Sequence, residues 1–264
     1  MAPYIWGKRN GIHIIDIKET IKGLLLAKKF LTRVVADGKD VCFVGTKRQA
    51  RDVLQTRVTD VKMHWVTERW LGGTLTNFRT IRSRLKRLME LESIRDGSNF
   101  ANYSKKMESQ LRRELDKIKT NLDGIRGMEK LPGALVIIDV KRELNALKEA
   151  KKLGIPTVCL IDTDGDPDLA DIAIPGNDDS MRSIDVIVRE LCLAIADGKT
   201  ARSAKAEAKE AREDVGREML AGAAGGAGSD GAPRRSRRAQ FRADEPAGAG
   251  AGGAGGGEGE SKPA

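Results

Sequence analysis

The chain has 264 residues, enough for one substantial α/β domain with extensions, and its 47 Lys and Arg against 38 Asp and Glu give a net charge of +9. With a sequence pI near 9.5 it attracts polyanions, so nucleic acid or an anionic membrane surface heads the list of partners. No apolar run approaches the ~20 residues of a membrane span, and Lys8, Arg9, Asp16, Lys18 and Glu19 break up any hydrophobic signal core at the start.

Ile17, Ile21, Leu24, Leu25, Phe30, Leu31 and Val34 recur at helical spacing, which predicts a helix over 17–37 that Gly38 ends. Val41-Cys42-Phe43-Val44 is a continuous apolar run of the kind that forms a strand covered on both faces. Lys47 to Val58 reads as the next helix and Met63-His64-Trp65-Val66 as a second strand. From Thr74 the pattern changes. Phe78, Ile81, Leu85 and Leu88, then Met107, Leu111, Leu115, Ile118, Leu122 and Ile125, recur at spacings of three and four around the turn-rich Asp96-Gly97-Ser98-Asn99. This predicts an antiparallel coiled-coil helical hairpin over 74–127, projecting from the sheet domain or leaning on a partner. Alternation then resumes: a strand at Leu135–Ile138, a helix from Glu143 to Leu153, a strand at Thr157–Ile161, a short strand at Ile172–Ile174 and an amphipathic helix from Met181 to Ala196. Such alternation implies a doubly wound parallel sheet.

Past residue 198 the core pattern stops. Residues 199–220 read as a solvated helix or linker. Residues 221–264 are rich in Gly and Ala with the basic cluster Arg234-Arg235-Ser236-Arg237-Arg238, and have too few apolar side chains to offset ordering entropy, so a disordered tail is expected. Cys42, Cys159 and Cys192 are odd in number, widely spaced and set in apolar runs, which reads as reduced core thiols of a cytosolic protein. His13 and His64 are too few and too far apart for a zinc cluster.

Three motifs touch on chemistry. Gly45-Thr46-Lys47 follows a strand and opens a helix, as a phosphate-binding loop does, yet the glycine that loop needs five residues earlier is Asp40. Nucleotide hydrolysis is therefore not expected, while Lys47 and Arg48 at a helix start could hold an RNA phosphate oxygen. Asp162-Thr163-Asp164-Gly165-Asp166 mimics a calcium loop, but its sixth and twelfth positions are Pro167 and Ala173 rather than Gly and Glu. Asp139 and Asp162 each end a buried strand, where carboxylates serve a metal or, more often, a turn or helix cap. Most informative is the run Arg79, Arg82, Arg84, Lys86 and Arg87, with Arg69 before it and no acid until Glu90. A merely solvated face mixes both signs, whereas a one-sided run fits phosphate contact. With aromatic residues at 4%, recognition of folded RNA by shape and phosphate fits better than base stacking.

Several words are specific. The segment from Pro3 to Asp16 (Pro-Tyr-Ile-Trp-Gly-Lys-Arg-Asn-Gly-Ile-His-Ile-Ile-Asp), Val44–Ala50, and above all Arg69-Trp70-Leu71-Gly72-Gly73-Thr74-Leu75-Thr76-Asn77-Phe78 closely resemble the bacterial S-two family of small-subunit ribosomal proteins. So do the run from Pro132 through Asp139, Glu143, Leu147 and Glu149 to Pro156, then Ile174–Asp179, then Arg182-Ser183-Ile184. The likeness covers roughly residues 2–198 in the right order.

That resemblance implies a flavodoxin-like domain with a coiled-coil hairpin, binding to small-subunit rRNA on the solvent side between head and body, and help in docking ribosomal protein S-one. It implies no enzyme activity, cofactor, membrane or small-molecule substrate, and a place on the cytoplasmic ribosome. Candidate RNA contacts are Lys8, Arg9, Lys47, Arg48, Arg69, Arg79, Arg82, Arg84, Lys86 and Arg87. Competing readings are weaker. A phosphate-substrate enzyme lacks a nucleophile–base constellation, and a membrane-surface helix needs an apolar face that here can be covered by the second hairpin helix. Two departures from the family stand out. Where members commonly carry Asn-Cys, this chain has Asp164-Gly165, a more acidic loop. Members also carry a few tens of residues before the Pro3-Tyr4-Ile5 word. A start assigned too late is favoured over a natural truncation, so protein from native ribosomes is expected to exceed 264 residues. An intact mass near 28.7 kDa, with an N-terminal peptide at Met1 or Ala2, would overturn that expectation.

Overall fold

The computed structural model describes residues 1–97 and 104–225, with side chains as far as residue 205. Ser98 and Asn99 of the expected turn, and residues 226–264 of the expected tail, lie outside the described residues. The chain divides into two units, Met1–Val215 and Gly216–Ala264, and the first holds the features below.

A hairpin opens the chain: β1 (Ile5–Arg9) pairs antiparallel with β2 (Ile12–Ile15). Asn10 and Gly11 join them at φ 49° and 82°, the left-handed pair that a tight hairpin turn requires. Then come α1 (Ile17–Ala36), β3 (Val41–Val44), α2 (Arg48–Asp60) and β4 (His64–Val66). The helical pair is α3 (Phe78–Asp96) and α4 (Lys105–Leu122). The rest is β5 (Ala134–Ile138), α5 (Leu144–Leu153), β6 (Thr157–Ile161), β7 (Ile172–Pro175) and α6 (Met181–Gly225).

The five later strands form one parallel sheet in the order β4-β3-β5-β6-β7. Counting only these strands, the order is 2-1-3-4-5, that of flavodoxin-like doubly wound sheets. Every residue of β3, β5 and β6 is buried, as expected of strands covered on both faces. On one face α1, α2 and α6 pack through Ala27, Leu31, Leu54, Val58, Ile184 and Leu191. On the other, α3, α4 and α5 pack with Cys42, Leu135 and Ile137 into a single cluster. All three cysteines are free and buried, and burial pushes each thiol up to about 12, which keeps it inert.

The helix expected from Met181 to Ala196 runs further, as α6 from Met181 to Gly225. Gly198 lies inside it as a contact residue, since a Cβ there would sit 2.9 Å from both the Thr32 carbonyl and Val35 Cβ of α1. Helices α3 and α4 meet along their apolar faces (Ile81, Leu85, Leu88 and Leu91; Leu111, Leu115, Ile118 and Leu122), which are buried in a cluster continuous with that of the sheet, and Arg126 ties Glu92 of α3 to the segment after α4 at 2.6 Å.

Candidate nucleic-acid interface

The loop between β4 and α3 sets the direction in which α3 leaves the sheet. Glu149, half-buried on α5, holds it. Its Oε1 accepts hydrogen bonds from the Trp70 indole (3.1 Å) and the Gly73 N–H (2.8 Å). Its Oε2 accepts them from the N–H of Leu75 (3.0 Å) and Thr76 (3.1 Å) and from the Thr76 hydroxyl (3.2 Å). Burial raises the pKa of this carboxyl, but the donors from Gly73, Thr76, Trp70 and Leu75 outweigh burial and hold it below the usual range. Gly73, at φ 90°, takes the left-handed conformation the turn needs.

From that loop α3 presents its cations. Arg79, Arg82, Arg84 and Lys86 are exposed, as is Arg69 before them, and none has an ion-pair partner among the described residues. Arg79, Arg82 and Lys86 line a cleft of about 420 Å³ with Phe78 and Ser83. At about 100° per residue, Arg84 points roughly 140–160° away from those three, toward α4. Arg87 is half-buried and spoken for by Glu90 (3.3 Å) and Glu114 (3.4 Å). Lys8 and Arg9 are exposed beside the hairpin turn, and Arg48 is exposed at the start of α2. The structure thus gathers the α3 cations and leaves Lys8, Arg9 and Arg48 on other elements.

The place where a nucleotide-binding relative of this sheet would take its ligand is filled by the chain's own side chains. That place lies beyond the carboxyl ends of β3 and β5, where the strand order reverses. There the Thr46 N–H and hydroxyl both donate to Glu143, which is 3% exposed, and the Arg142 guanidinium donates to the Thr46 hydroxyl at 2.9 Å. Burial pushes the Glu143 carboxyl up, against the pull of Thr46. Lys47 sits among Asp178 (2.7 Å), Asp179 (2.5 Å) and Asp139 (3.8 Å), with its side chain 14% exposed. Burial lowers its pKa, and the hydrogen bonds to Asp178 and Asp179 more than reverse that. A carboxylate ring stands where a phosphate would have to come.

The ribosomal protein S2 family matches residues 1–198. Small ribosomal subunit protein uS2 of Rhodopirellula baltica is 57% identical over 199 residues, covering 75% of this chain and 76% of that protein. The uS2 protein of a Picosynechococcus species is 47% identical over 199 residues (75% and 78%), and that of Dictyoglomus thermophilum 43% over 219 residues (83% and 89%). The chain belongs to the ribosomal protein S2 family.

For a member of that family the role is structural, not enzymatic, and the filled ligand crevice agrees with it. Asp139 and Asp162 serve turns. Asp139 accepts the Arg142 N–H (3.1 Å), and Asp162 accepts those of Thr163 (2.5 Å) and Asp178 (3.5 Å). Asp162, Asp178 and Asp179 offer ligand atoms within 4.8 Å of one another, but a metal ion there would compete with the Lys47 ammonium. Sequence reasoning named Glu149 only as part of a family word and did not single out Arg142, because both act on segments remote in sequence. The hairpin could have been found, for Asn10-Gly11 between apolar runs is a direct turn signal.

Asp178, 3% exposed, has a carboxyl pushed up to about 6 from 3.8 by burial, despite the opposing hydrogen bond to Lys47. A folded-state pKa above the unfolded one means that folding takes up a proton between those values. The group's contribution is therefore full below about pH 4 and lost as pH rises through about 6. Relative to Asp178→Asn, the parent should lose about 2 to 3 kcal/mol of unfolding free energy between pH 4 and pH 7. Denaturant titrations of both at several pH values check this, and parallel pH profiles would refute it.

Proposed function

We propose that this chain binds small-subunit rRNA through the β4 side of its sheet and the outer face of α3, and that it helps seat ribosomal protein S-one on the cytoplasmic ribosome. The observation that carries the reading is the set of cations Arg69, Arg79, Arg82 and Lys86, exposed and without an ion-pair partner among the described residues, which follow the edge strand β4, whereas the carboxylates Asp162, Asp178 and Asp179 follow β6 and the other edge strand, β7. An RNA backbone docks where cations are free and acids are absent. Residues 1–198 are the ribosome-binding domain in this reading, the 74–127 segment is its coiled-coil hairpin, and 199–220 leads to a basic tail. Arg48, Lys8 and Arg9 are secondary contacts. Lys47 works as an internal counter-charge.

Protein docking has its own surface. Trp6 and Ile12 of the hairpin are 76% and 71% exposed, and Ile17, Ile21 and Leu25, spaced four apart on α1, are 72%, 51% and 59% exposed. Apolar side chains left open at regular spacing mark an interaction face. Tagged protein mixed with subunits depleted of this component should co-sediment with them, and protein left at the top of the gradient would refute the reading. Ile21→Asp with Leu25→Asp should leave that co-sedimentation intact while S-one occupancy falls at least fivefold. Unchanged S-one occupancy would remove this face from S-one docking.

A further inference from the structure

We propose, resting on the rRNA reading above, that the cleft on the outer face of α3 holds one unpaired nucleotide, its base stacked on Phe78 and its flanking phosphates on Arg79, Arg82 and Lys86. The cleft encloses about 420 Å³ and is lined by Phe78, Arg79, Arg82, Ser83 and Lys86. That volume is of the order of a small-ligand site. The lining residues form two rows. Phe78, Arg82 and Lys86 follow one another a turn apart, and Arg79 and Ser83, also a turn apart, run beside them. Phe78 is half-buried: it packs against the cluster beneath α3 and still lines the cleft. The three cations are exposed and have no ion-pair partner among the described residues. The cleft begins at the N-terminal end of α3, whose first turn carries no acid, so the helix dipole adds to their charge.

Phosphate contact alone does not account for an aromatic ring in this cleft. A phosphate is charged and hydrated and gains nothing from Phe78, whereas a nucleobase offers a flat face that stacks on it. In a paired A-form helix those faces are covered by the neighbouring pairs, and only a bulged, looped or terminal base presents one. The ring therefore distinguishes an unpaired nucleotide from a duplex, while the cations hold either. Aromatic residues make up 4% of the chain, too few for a run of stacked bases, but a single ring serves a single base. Arg79 and Lys86 lie about 10 Å apart along the helix, so the cations reach the phosphates on both sides of that nucleotide. The Ser83 hydroxyl donates to the Thr80 carbonyl at 2.8 Å, which leaves its oxygen as an acceptor beside side chains that only donate. An N–H on the edge of the base is the partner that oxygen fits.

The test uses the full chain and two RNA hairpins that are alike except that one carries a single unpaired nucleotide in its stem. The parent should bind the bulged hairpin about fivefold to a hundredfold more tightly, the range that one base stack contributes. Phe78→Leu, which keeps an apolar side chain against the cluster, should abolish that preference and change affinity for the fully paired hairpin less than twofold. Phe78→Tyr should retain the preference, which separates a stacking ring from an effect on folding. With 5-iodouridine at the unpaired position, irradiation should cross-link the RNA to Phe78 in the parent and leave no adduct at position 78 in the Leu variant. Equal affinity of the parent for the two hairpins, or a preference that survives Phe78→Leu, would overturn the proposal. Binding of both hairpins that falls with Arg79→Ala, Arg82→Ala and Lys86→Ala keeps the rRNA reading whatever Phe78 does. No binding of either hairpin sinks that reading and the proposal with it.

Discussion

Replacing Glu149 by Gln is expected to destabilise the protein by about 2 to 4 kcal/mol, as much as replacing it by Ala, because every group facing this carboxylate is a donor. Five hydrogen bonds converge on its two oxygens, four of them from the Trp70–Thr76 loop backbone and the Trp70 indole, with the Thr76 hydroxyl as the fifth. The Gln amide would turn an NH₂ toward N–H groups on one side and leave buried donors without an acceptor. Since the folded-state carboxyl lies below its usual range, its contribution is present above that range and disappears as pH falls through the folded value. Denaturant unfolding followed by tryptophan fluorescence measures the loss. An Asp at 149 should recover little, for it is one methylene too short to reach both halves of the loop. The same variants should weaken rRNA binding although no cation is touched, because the loop aims α3. A Gln variant within about 0.5 kcal/mol of the parent would show that the loop holds itself.

The largest effect on binding is expected from Arg79→Ala, Arg82→Ala and Lys86→Ala together. These three side chains are exposed on one face of α3 and line one cleft, so their removal takes nothing from the core. Each phosphate neutralised contributes about −0.7 to −0.9 to the slope of log affinity against log salt. The triple variant should flatten that slope by roughly one to three units and lose about a hundred- to a thousand-fold in rRNA affinity near 0.1 M salt. Titration of an rRNA fragment at four or five salt concentrations reads both numbers. An unchanged slope would mean that the face is only solvated. Replacing Lys47, whose charge already answers Asp178 and Asp179, should leave the slope unchanged.

Much of this molecule was legible in one dimension. Buried strands such as Val41–Val44 and Ala134–Ile138 are apolar at every position because both faces are covered, and covered strands need no alternation. The basic run on α3 was legible too, since five cations without an acid form a local pattern. What the sequence determined by itself was therefore whatever depends on near neighbours: element type, approximate bounds, the doubly wound class and the charge of one helix face. The tertiary structure alone decided which of those charges are free. Lys47 and Arg87 read like their neighbours, yet folding brings Asp178 and Asp179, more than a hundred residues away, onto the first, and Glu114 of α4 onto the second. It also decided that Gly198 continues a helix, because a missing Cβ lets α1 approach to contact distance, which outweighs a weak local propensity. Long-range packing sets these outcomes through burial and ion pairing, and neither quantity is defined until the chain has folded.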